Sequence, residues 1–562
     1  MTNPSPTLPA TQYAVQLLGP SALQLNPAKP VTQPGPHEIL IKMEAVGLCF
    51  SDLKLLKQFN AHPRKAQVSS GLTPEVLKGI QSYVPGDMPV VPGHEVVCRI
   101  IAVGNQVKHH KVGERCLVQA DYRDLKTPNS NAAFGYNFEG GLQEYCIIDE
   151  RVSIDAKGQR FLIPVGSEKS ASAVALVEPW ACVENSYVNQ ERRSLKAGGK
   201  CLIVVDGGRQ TDGLAACFKA ARPGVVTLLA ADAASAPALD KLGVKVTTVT
   251  ALATLPDESF DDIVYFGSSK AVLDVLNDKL APRGLINVVL GGTRIGQKVN
   301  VGVGHVHYGM TRWIGTTGRD AAASYQHIPQ TGEMRPNDQI VVIGAGGPMG
   351  QMHVIRAVSL GLPGLSLVAT DFDDARLASV EKKVAAQARI NGVTCRFLNT
   401  GKTKDTGNYT YFALMAPVAQ LVADAISHAL HGALINIFAG IPAPTKHELD
   451  LDAYLEKRCF MFGTSGSEIE DMKIVLRKVE AGQLDTNASV DAISGMAGAI
   501  AGIKAIEDRT LAGKIIVYPM LHDLGLIPLV DLAGRFPTVA AKLDDGRWTK
   551  AAEEELLRVA AT

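Results

Sequence analysis

The stretch Gln339-Ile-Val-Val-Ile-Gly-Ala-Gly-Gly-Pro-Met-Gly350 joins a short apolar run to a turn that is rich in glycine. An apolar run of this length, bounded by turn residues, is typical of a buried strand, and the sequence after Gly350 is typical of a helix. Glycines in such a turn let the backbone approach a pyrophosphate closely, and the N-terminus of the following helix favours its negative charge. The stretch therefore predicts a strand, a turn and a helix that together bind a dinucleotide.

The next strand indicates which dinucleotide binds. Asp371 stands 21 residues after Gly350, at the end of that predicted strand. A carboxylate at this point accepts hydrogen bonds from the two ribose hydroxyls of NAD and repels the 2′-phosphate of NADP. We therefore expect NAD, rather than NADP, at a site formed by Gly344, Gly346, Gly347, Pro348, Met349, Gly350 and Asp371. The turn is one residue longer than the G-x-G-x-x-G spacing, and a plain turn without a ligand is the alternative.

The same pattern occurs twice in the chain. Cys201–Val205 is also an apolar run followed by glycines. Leu285–Gly292 resembles Leu434–Gly440 at an offset of 149 residues (436 − 287), and Gly315–Gly318 resembles Gly463–Gly466 at an offset of 148 (463 − 315). Strands that alternate with helices form a parallel sheet covered on both faces. The sequence thus predicts two tandem, doubly wound α/β domains that arose by duplication.

The first copy of the turn differs from the second in its charged residues. Arg209 aligns with Gly346, and Asp206 and Asp212 flank it. A side chain at the glycine of closest approach obstructs a pyrophosphate, and the two carboxylates repel it. We expect this copy to be structural and to bind no dinucleotide. The alternative is that Arg209 forms a site for another anion.

Bulk composition excludes several classes of function. Lys plus Arg and Asp plus Glu both number 56 among 562 residues, so charge gives no reason to expect a nucleic acid or a membrane as partner. Residues 1–24 lack the basic start and apolar core of a signal peptide, and no apolar run is long enough to span a bilayer. The nine cysteines form no C-x-x-C pair. These features predict a cytoplasmic protein with reduced thiols.

Three separate stretches carry residues that suit a zinc ion. They contain Cys49, Ser51 and Asp52, then His94 and Glu95, and finally Glu178. Zinc binds Cys sulfur, His nitrogen and carboxylate oxygen, and a catalytic site leaves one position open for a substrate. A bound zinc ion lowers the pKa of an alcohol so that an alkoxide releases hydride near neutral pH. Singly, each residue has a simpler interpretation, such as a buried thiol, a turn brace or a loop carboxylate.

Together these stretches resemble the zinc-containing medium-chain alcohol and polyol dehydrogenases. The resemblance rests on Gly47–Asp52, Val91–Glu95, Val103-Gly104, Val112–Arg115, Gly140–Tyr145 and Val177–Pro179. It implies a β-rich GroES-like catalytic domain. With the repeated strand and helix pattern, the predicted fold class is α/β, in which this domain precedes two tandem Rossmann-type doubly wound parallel sheets. The residues from Leu521 onward look helical and predict a small helical C-terminal extension.

The resemblance also implies roles for individual residues. Cys49 and His94 bind one catalytic zinc ion, Glu95 is a ligand or lies close to it, and Glu178 lies at the metal directly or through water. Ser51 relays the substrate proton, and Asp52 holds His94. Many relatives carry a second, structural zinc on four cysteines, but residues 119–140 contain no cysteine, so we expect no structural zinc. Cys182 is an alternative soft ligand.

A narrower resemblance concerns the substrate. Gly344–His353, Val306–Tyr308 and Gly315–Gly318 are similar to the sorbose-1-phosphate reductase group. This implies a sugar or sugar-phosphate substrate, a reversible ketone/alcohol reaction and a homo-oligomer, either a dimer or a tetramer. The extra α/β domain departs from the usual single one and leaves substrate identity open. His305 and His307 flank its exit loop, and we expect them to be structural.

The predicted organisation has five segments: a catalytic zinc domain at 1–185, a degenerate Rossmann-like domain at 196–318, an NAD-binding Rossmann domain at 335–480, a return to the catalytic domain at 481–520 and a helical extension at 521–562. The predicted function is a zinc-dependent oxidoreductase that transfers hydride between NAD(P) and a polyol, sugar or sugar phosphate. Two alternatives remain open. One is an NAD-dependent epimerase or eliminase that uses transient oxidation, and the other is a non-catalytic dinucleotide sensor.

Overall fold

A computed structural model describes residues 8–231 and 244–560 of the chain. The chain divides into two compact units: Met1–Cys182 with Ser467–Thr562 forms unit 1, and Val183–Gly466 forms unit 2. None of the helices in the described part combines the length and apolar character that a membrane crossing requires.

The N-terminal part of unit 1 is rich in β-structure. Its strands are β1 (Thr11–Leu17), β2 (Leu23–Pro30), β3 (Glu38–Gly47), β4 (Glu95–Val103), β5 (Arg115–Val118), β6 (Asp121–Thr127), β7 (Ser130–Ala133), β8 (Tyr145–Asp149) and β9 (Leu162–Pro164). Its helices are α1 (Phe50–Gln58), α2 (Pro74–Lys78), α3 (Ala171–Ala175) and the first half of α4 (Val177–Val188), with 3-10 turns at Phe59–Ala61 and Pro63–Lys65. The second half of α4, from Val183, belongs to unit 2. Strand β3 is apolar and mostly buried, and it pairs antiparallel with β4 and with β8.

The first half of unit 2 is the first repeat, running from β10 to α8. It contains β10 (Lys200–Val205), α5 (Leu214–Ala220), β11 (Val225–Ala230), β12 (Lys245–Thr248), a 3-10 turn (Leu252–Thr254), β13 (Phe260–Phe266), α6 (Lys270–Lys279), β14 (Leu280–Val289), β15 (Val299–Val301), α7 (Val303–Tyr308), β16 (Arg312–Thr316) and α8 (Ala321–Tyr325).

The second repeat follows, running from β17 to β23. It contains β17 (Gln339–Ile343), α9 (Pro348–Ser359), β18 (Ser366–Asp371), α10 (Asp374–Asn391), β19 (Thr394–Asn399), β20 (Tyr409–Leu414), α11 (Gln420–Ser427), β21 (Ala429–Ile437), β22 (His447–Leu449), α12 (Leu451–Glu456) and β23 (Phe460–Phe462).

Both repeats have the same sheet topology. The first is a six-stranded parallel sheet in the order β12-β11-β10-β13-β14-β16, and the second has the order β19-β18-β17-β20-β21-β23. Each order is 3-2-1-4-5-6 within its repeat, which is the arrangement of the doubly wound dinucleotide-binding fold. The predicted fold class, with two tandem parallel sheets beside a β-rich domain, is confirmed.

The remainder of the chain returns to unit 1. It contains α13 (Ile469–Glu480), a 3-10 turn (Thr486–Ser489), β24 (Val490–Ser494), α14 (Met496–Glu507), β25 (Lys514–Val517), β26 (Ile527–Pro528), a 3-10 turn (Leu529–Asp531), α15 (Leu532–Arg535), α16 (Pro537–Ala540) and α17 (Lys550–Ala560). Strand β25 pairs antiparallel with β3, so these strands extend the sheet of the N-terminal part. The predicted helical extension is present.

The chain re-enters unit 1 at Ser467, where Arg123 donates a 2.6 Å hydrogen bond to the Ser467 carbonyl and Gln159 bonds Glu470 on α13. Between residues 71 and 86 the structure has one short helix, the five residues of α2.

Candidate functional site

Cys49, His94 and Glu95 lie together in unit 1. One potential ligand atom from each residue lies within 4.8 Å of those of the other two. The antiparallel pairing of β3 with β4 explains the approach, because Gly47 pairs directly with Glu95 and the chain continues from Gly47 to Cys49. The structure therefore brings together three of the four predicted metal ligands from two distant stretches.

The Asp52 carboxylate holds both Cys49 and His94 in place. Asp52 Oδ2 accepts a 3.0 Å hydrogen bond from the Cys49 backbone, and Asp52 Oδ1 lies 3.1 Å from His94 Nδ1. Burial lowers the pKa of His94, but the adjacent Asp52 outweighs burial and raises it well above its usual value. The Ser51 hydroxyl lies 3.1 Å from Cys49 Sγ and 3.1 Å from His94 Nε2. Ser51 is thus adjacent to the ligand atoms, as the predicted relay requires.

Glu95 is fully buried and has one partner that the sequence did not reveal. Lys514, on β25, places Nζ 2.5 Å from Glu95 Oε1 and 2.7 Å from the Leu48 carbonyl. Within the described part of the chain, Glu95 Oε2 has no hydrogen-bond partner. It lies against Gly47, where a Cβ atom would come within 2.1 Å of it. An unpartnered buried carboxylate oxygen beside a thiol and an imidazole suits a cation.

Glu178 lies near this group but not within it. It sits in the first turn of α4, and burial raises its pKa to about 7, with nearby His94 opposing the shift and Glu95 adding to it. Cys182 lies one turn further along α4, where burial and the proximity of Glu178 raise its pKa well above the usual value. The structure thus leaves both Glu178 and Cys182 close to the three-residue group as candidates for a further ligand.

A cationic side chain that sequence reasoning missed lies on another side of the group. The Arg64 guanidinium carbon lies 5.5 Å from the centre of the Tyr136 ring, whose centre is 5.8 Å from that of His94. Arg64 forms a two-point ion pair with Asp121. Burial lowers the pKa of Arg64, but Asp121 and Tyr136 outweigh it and raise the pKa above its usual value. No local motif marks Arg64 and Tyr136, because distant turns bring them together.

In the second repeat, the predicted cofactor residues gather at the carboxyl ends of β17 and β18. Gly344 has φ of +84°, Gly347 is the N-cap of α9, and Pro348, Met349 and Gly350 begin that helix. The Gly346 backbone donates a 2.9 Å hydrogen bond to Asp371 Oδ2. A Cβ atom at Gly350 would lie 2.2 Å from the Gly344 carbonyl oxygen, so only glycine fits there. This turn leaves the first turn of α9 open to an anion.

In the first repeat, Arg209 occupies the corresponding place. Its guanidinium donates to the Leu290 carbonyl at 2.7 Å, to Thr293 Oγ1 at 2.7 Å and to Ser268 Oγ at 3.1 Å. Asp206 accepts a 2.7 Å bond from the Tyr265 hydroxyl. Arg209 therefore spans the ends of the strands with bonds to the protein itself.

The two histidines of the exit loop have structural surroundings. His307 is buried, and its Nδ1 lies 3.0 Å from the Ile437 carbonyl. His305 Nε2 lies 3.8 Å from Glu258. Neither contact involves Cys49, His94 or Glu95. Residues 121–133, within the segment that lacks cysteine, form the β6–β7 hairpin.

Comparison with known proteins bears on this site. The family model described as "Alcohol dehydrogenase GroES-like domain" matches residues 35–157. The chain contains an alcohol dehydrogenase GroES-like domain. This domain carries Cys49, His94 and Glu95, and the resemblance to zinc-type alcohol and polyol dehydrogenases is confirmed.

Individual relatives extend over more of the chain than the GroES-like domain. Mannitol-1-phosphate 5-dehydrogenase of Aliivibrio fischeri is 25% identical over 58% of this chain and 79% of its own length. L-sorbose 1-phosphate reductase of Klebsiella pneumoniae is 26% identical over 55% of this chain and 76% of its own length. Among solved structures, L-idonate 5-dehydrogenase of Escherichia coli matches at 10% identity with a TM-score of 0.45, covering 90% of this chain and 98% of its own. The names of the first two relatives are those of oxidoreductases that act on phosphorylated polyols or sugars.

Proposed function

We propose that the protein is a zinc-dependent oxidoreductase that transfers hydride between NAD and a polyol, a sugar or a sugar phosphate. The observation that carries this proposal is the group formed by Cys49, His94 and Glu95 with the Ser51 hydroxyl 3.1 Å from two of them. A group with only a structural role would not need a hydroxyl beside its ligand atoms. Relatives that are alcohol and polyol dehydrogenases support the same reaction class.

The donor set fits zinc. A thiolate, an imidazole and a carboxylate are the ligand types that zinc prefers, and Glu95 Oε2 is buried without a partner among the described residues. We propose Cys49, His94 and Glu95 as ligands, with Glu178 as the further one. A bound zinc ion would polarise the substrate hydroxyl and lower its pKa.

The protein's own residues prepare the site for that ion. Asp52 holds the His94 ring through Nδ1, so Nε2 would be the ring nitrogen available to hold the ion, and Asp52 holds the Cys49 backbone through its other oxygen. Lys514 neutralises Glu95 and fixes the orientation of its carboxylate. Ser51 receives the proton that the substrate hydroxyl loses.

The dinucleotide belongs in the second repeat under this proposal. Gly344, with its positive φ, and Gly350, packed against the Gly344 carbonyl, give the turn a backbone path that requires glycine, and the N-terminus of α9 favours the charge of a pyrophosphate. Asp371 stands at the end of β18, where its carboxylate favours NAD over NADP. Bound NAD would supply the hydride acceptor.

The substrate is proposed to carry a phosphate. Two relatives are named for 1-phosphates of mannitol and sorbose. Arg64 lies one aromatic ring away from His94 and retains its positive charge. A guanidinium at this distance from the ligand group suits a phosphate at the far end of a short polyol chain.

The test combines zinc analysis with a substrate screen. The purified chain should contain one zinc ion and reduce NAD with a polyol, sugar or sugar phosphate, whereas NADP should serve less well. Cys49→Ser should lose zinc and turnover but keep NAD affinity, because the dinucleotide residues lie in the other unit. Cys395→Ser, a cysteine of the second repeat, is the matched control and should keep zinc and turnover.

Three outcomes would argue against the proposal. Full activity and zinc content in Cys49→Ser would remove the metal assignment. Product formation with substoichiometric NAD and no net NADH would indicate an epimerase or eliminase. A folded, zinc-free chain that binds NAD without turnover would indicate a sensor. The cytoplasmic location and the homo-oligomer remain predictions from the sequence.

A further inference from the structure

The two repeats pair through equivalent elements. Strand β15 of the first repeat and β22 of the second stand 148 residues apart in the sequence, the offset that relates the repeats, and they pair antiparallel. The register joins Val299 to Leu449, Asn300 to Glu448 and Val301 to His447. Asn300 and Glu448 are themselves equivalent positions, so the ladder has a two-fold axis at its centre.

Contacts beyond this ladder show the same reciprocity. A Cβ atom on Gly315 would lie 2.7 Å from Leu455, and one on the equivalent Gly463 would lie 2.9 Å from His307, which is equivalent to Leu455. In an isologous interface, both partners use the same surface patch, so each contact occurs twice with the roles of the two partners exchanged. The repeats therefore pack as the two halves of a closed two-fold pair.

Loops on either side of this pair repeat the exchange. Asp452 of α12 accepts hydrogen bonds from the Ile295 and Gly296 backbones at 2.9 and 2.8 Å. Its equivalent, Gly304 of α7, donates a 3.1 Å backbone bond to Thr445. In both cases the start of a short helix contacts the loop that precedes the paired strand of the other repeat.

The interface between the repeats is apolar and continuous with both cores. A single hydrophobic cluster contains buried residues of both repeats near the paired strands, namely Val299, Val301, Val303, Val306, Trp313, Leu449, Leu451, Tyr454, Leu455 and Met461. The Tyr454 hydroxyl crosses the interface and donates a 2.8 Å hydrogen bond to the Trp313 carbonyl. An interface of this kind resembles that of an obligate dimer rather than a transient contact.

The first repeat keeps this interface but has lost the features of a ligand site. Arg209 stands where the second repeat has Gly346, and its guanidinium bonds Leu290, Ser268 and Thr293. Dinucleotide binding would require that side chain to leave three hydrogen bonds within its own repeat. The first repeat thus has the packing face but lacks the open glycine turn of the second.

We infer that the first repeat is a built-in partner domain. The first repeat covers the self-complementary face of the second repeat, which a second copy of the chain would otherwise have to cover. The first repeat itself binds no dinucleotide. An isologous pair uses both copies of its patch, so no second chain can associate through this face. The chain carries one dinucleotide site, and any homo-oligomer must form through another surface.

A designed disulfide tests whether the pairing lies within one chain. Asn300 and Glu448 are direct partners in an antiparallel ladder, where Cα atoms lie about 4.5–5.5 Å apart, a distance that a disulfide spans. Oxidation of the full-length Asn300→Cys, Glu448→Cys double variant should remove two thiols per chain and leave a monomer band on non-reducing gels. The two single variants are the controls and should show no such loss.

Two results would overturn the inference. Disulfide-linked dimers in the double variant would mean that the face joins different chains, and unchanged thiol counts would mean that the strands do not pair.

Calorimetric titration of the full chain with NAD measures independently how many dinucleotides one chain binds. One NAD per chain agrees with a first repeat that binds none, and two would contradict it. Absence of any NAD binding would defeat the proposed function, while the disulfide result would still decide this inference.

Discussion

At the residue scale, the candidate site consists of buried charged and polar groups, and each is held in place by hydrogen bonds from one or two neighbouring residues. Asp52 fixes the Cys49 backbone and the His94 ring at once, and Lys514 fixes Glu95. Removal of one partner leaves the other buried and unpaired, which is why such pairs are sensitive to substitution. The same logic applies to a buried histidine of the second repeat, outside the proposed metal site.

His353 of α9 should make stability depend on pH. Burial, with help from Arg356, lowers its pKa to about 3, and its Nδ1 lies 2.6 Å from the Tyr187 hydroxyl. The unfolded chain protonates this histidine near pH 6.5, so its contribution is present above that pH and is lost as pH falls towards 3. His353→Gln should flatten the pH dependence of unfolding free energy by up to about 1.4 kcal/mol per pH unit below 6.5.

Urea unfolding at several pH values between 4 and 7 measures this difference. His109→Gln, at an exposed position of unit 1, is the control and should keep the wild-type slope. Equal slopes for His353→Gln and the wild type would show that His353 is already protonated in the folded chain.

At the element scale, hydrogen bonds at the ends of helices connect them to the rest of the fold. Helix α3 begins with backbone N–H groups that have no partner within the helix, and Glu553 of α17 accepts from two of them, Ala171 at 2.5 Å and Ser172 at 2.8 Å. The Tyr518 hydroxyl donates to the same carboxylate at 2.9 Å. The helical extension is therefore part of the body of unit 1 and not an appended tail.

Glu553→Gln should destabilise the folded chain by about 1.5–3 kcal/mol, because it removes the charge from a buried carboxylate that caps a helix. Thermal or urea unfolding measures the loss. Glu554→Gln alters the exposed neighbour on the same helix and should have a small effect. Similar losses in both variants would show that the cap contributes little.

The turn between β17 and α9 leads to a prediction about the cofactor. Asp371→Ala should lower the preference for NAD over NADP by about tenfold or more, or about 1.4 kcal/mol, because the charge that repels a 2′-phosphate is lost. The ratio of kcat/KM for the two cofactors is the proper readout, since general loosening of the turn affects both alike. Asp373→Ala, at the exposed N-cap of α10, is the control. An unchanged ratio would contradict the ribose assignment.

At the scale of the whole molecule, unit 2 is organised by the two-fold pairing of its repeats. The close approach at Gly304 shows how tight this pairing is, because a Cβ atom there would lie 2.1 Å from the Pro442 carbonyl oxygen of the other repeat. Neither repeat can shift to relieve the clash without disturbing the β15–β22 ladder.

Gly304→Ala should therefore lower the free energy of unfolding by about 1–3 kcal/mol. Gly534→Ala is the control, since a Cβ atom there meets nothing within 4 Å. Scanning calorimetry compares the two. If Gly304→Ala were as stable as the control, the repeats would have to be more loosely packed than the contacts across them indicate.

Local patterns predicted a large part of the fold and of the site. The glycines at 344, 346 and 350, the strand before them and Asp371 lie within one short stretch, so spacing alone was enough to identify the turn. No local pattern marks the return of the chain to unit 1 at Ser467, because the polar contacts made there come from Arg123 and Gln159, far away in the sequence.

The amino-acid sequence alone determined most strands and helices, the duplicated sheets and the residue types of the Cys49, His94 and Glu95 group, because hydrophobic periodicity and glycine spacing act over a few neighbouring residues. Only the tertiary structure decided that Lys514 neutralises Glu95, that Arg64 lies beside Tyr136, and that the first repeat pairs with the second about a two-fold axis. Those contacts join residues far apart along the chain, and no local pattern records which of the many possible long-range pairs the folded backbone brings together.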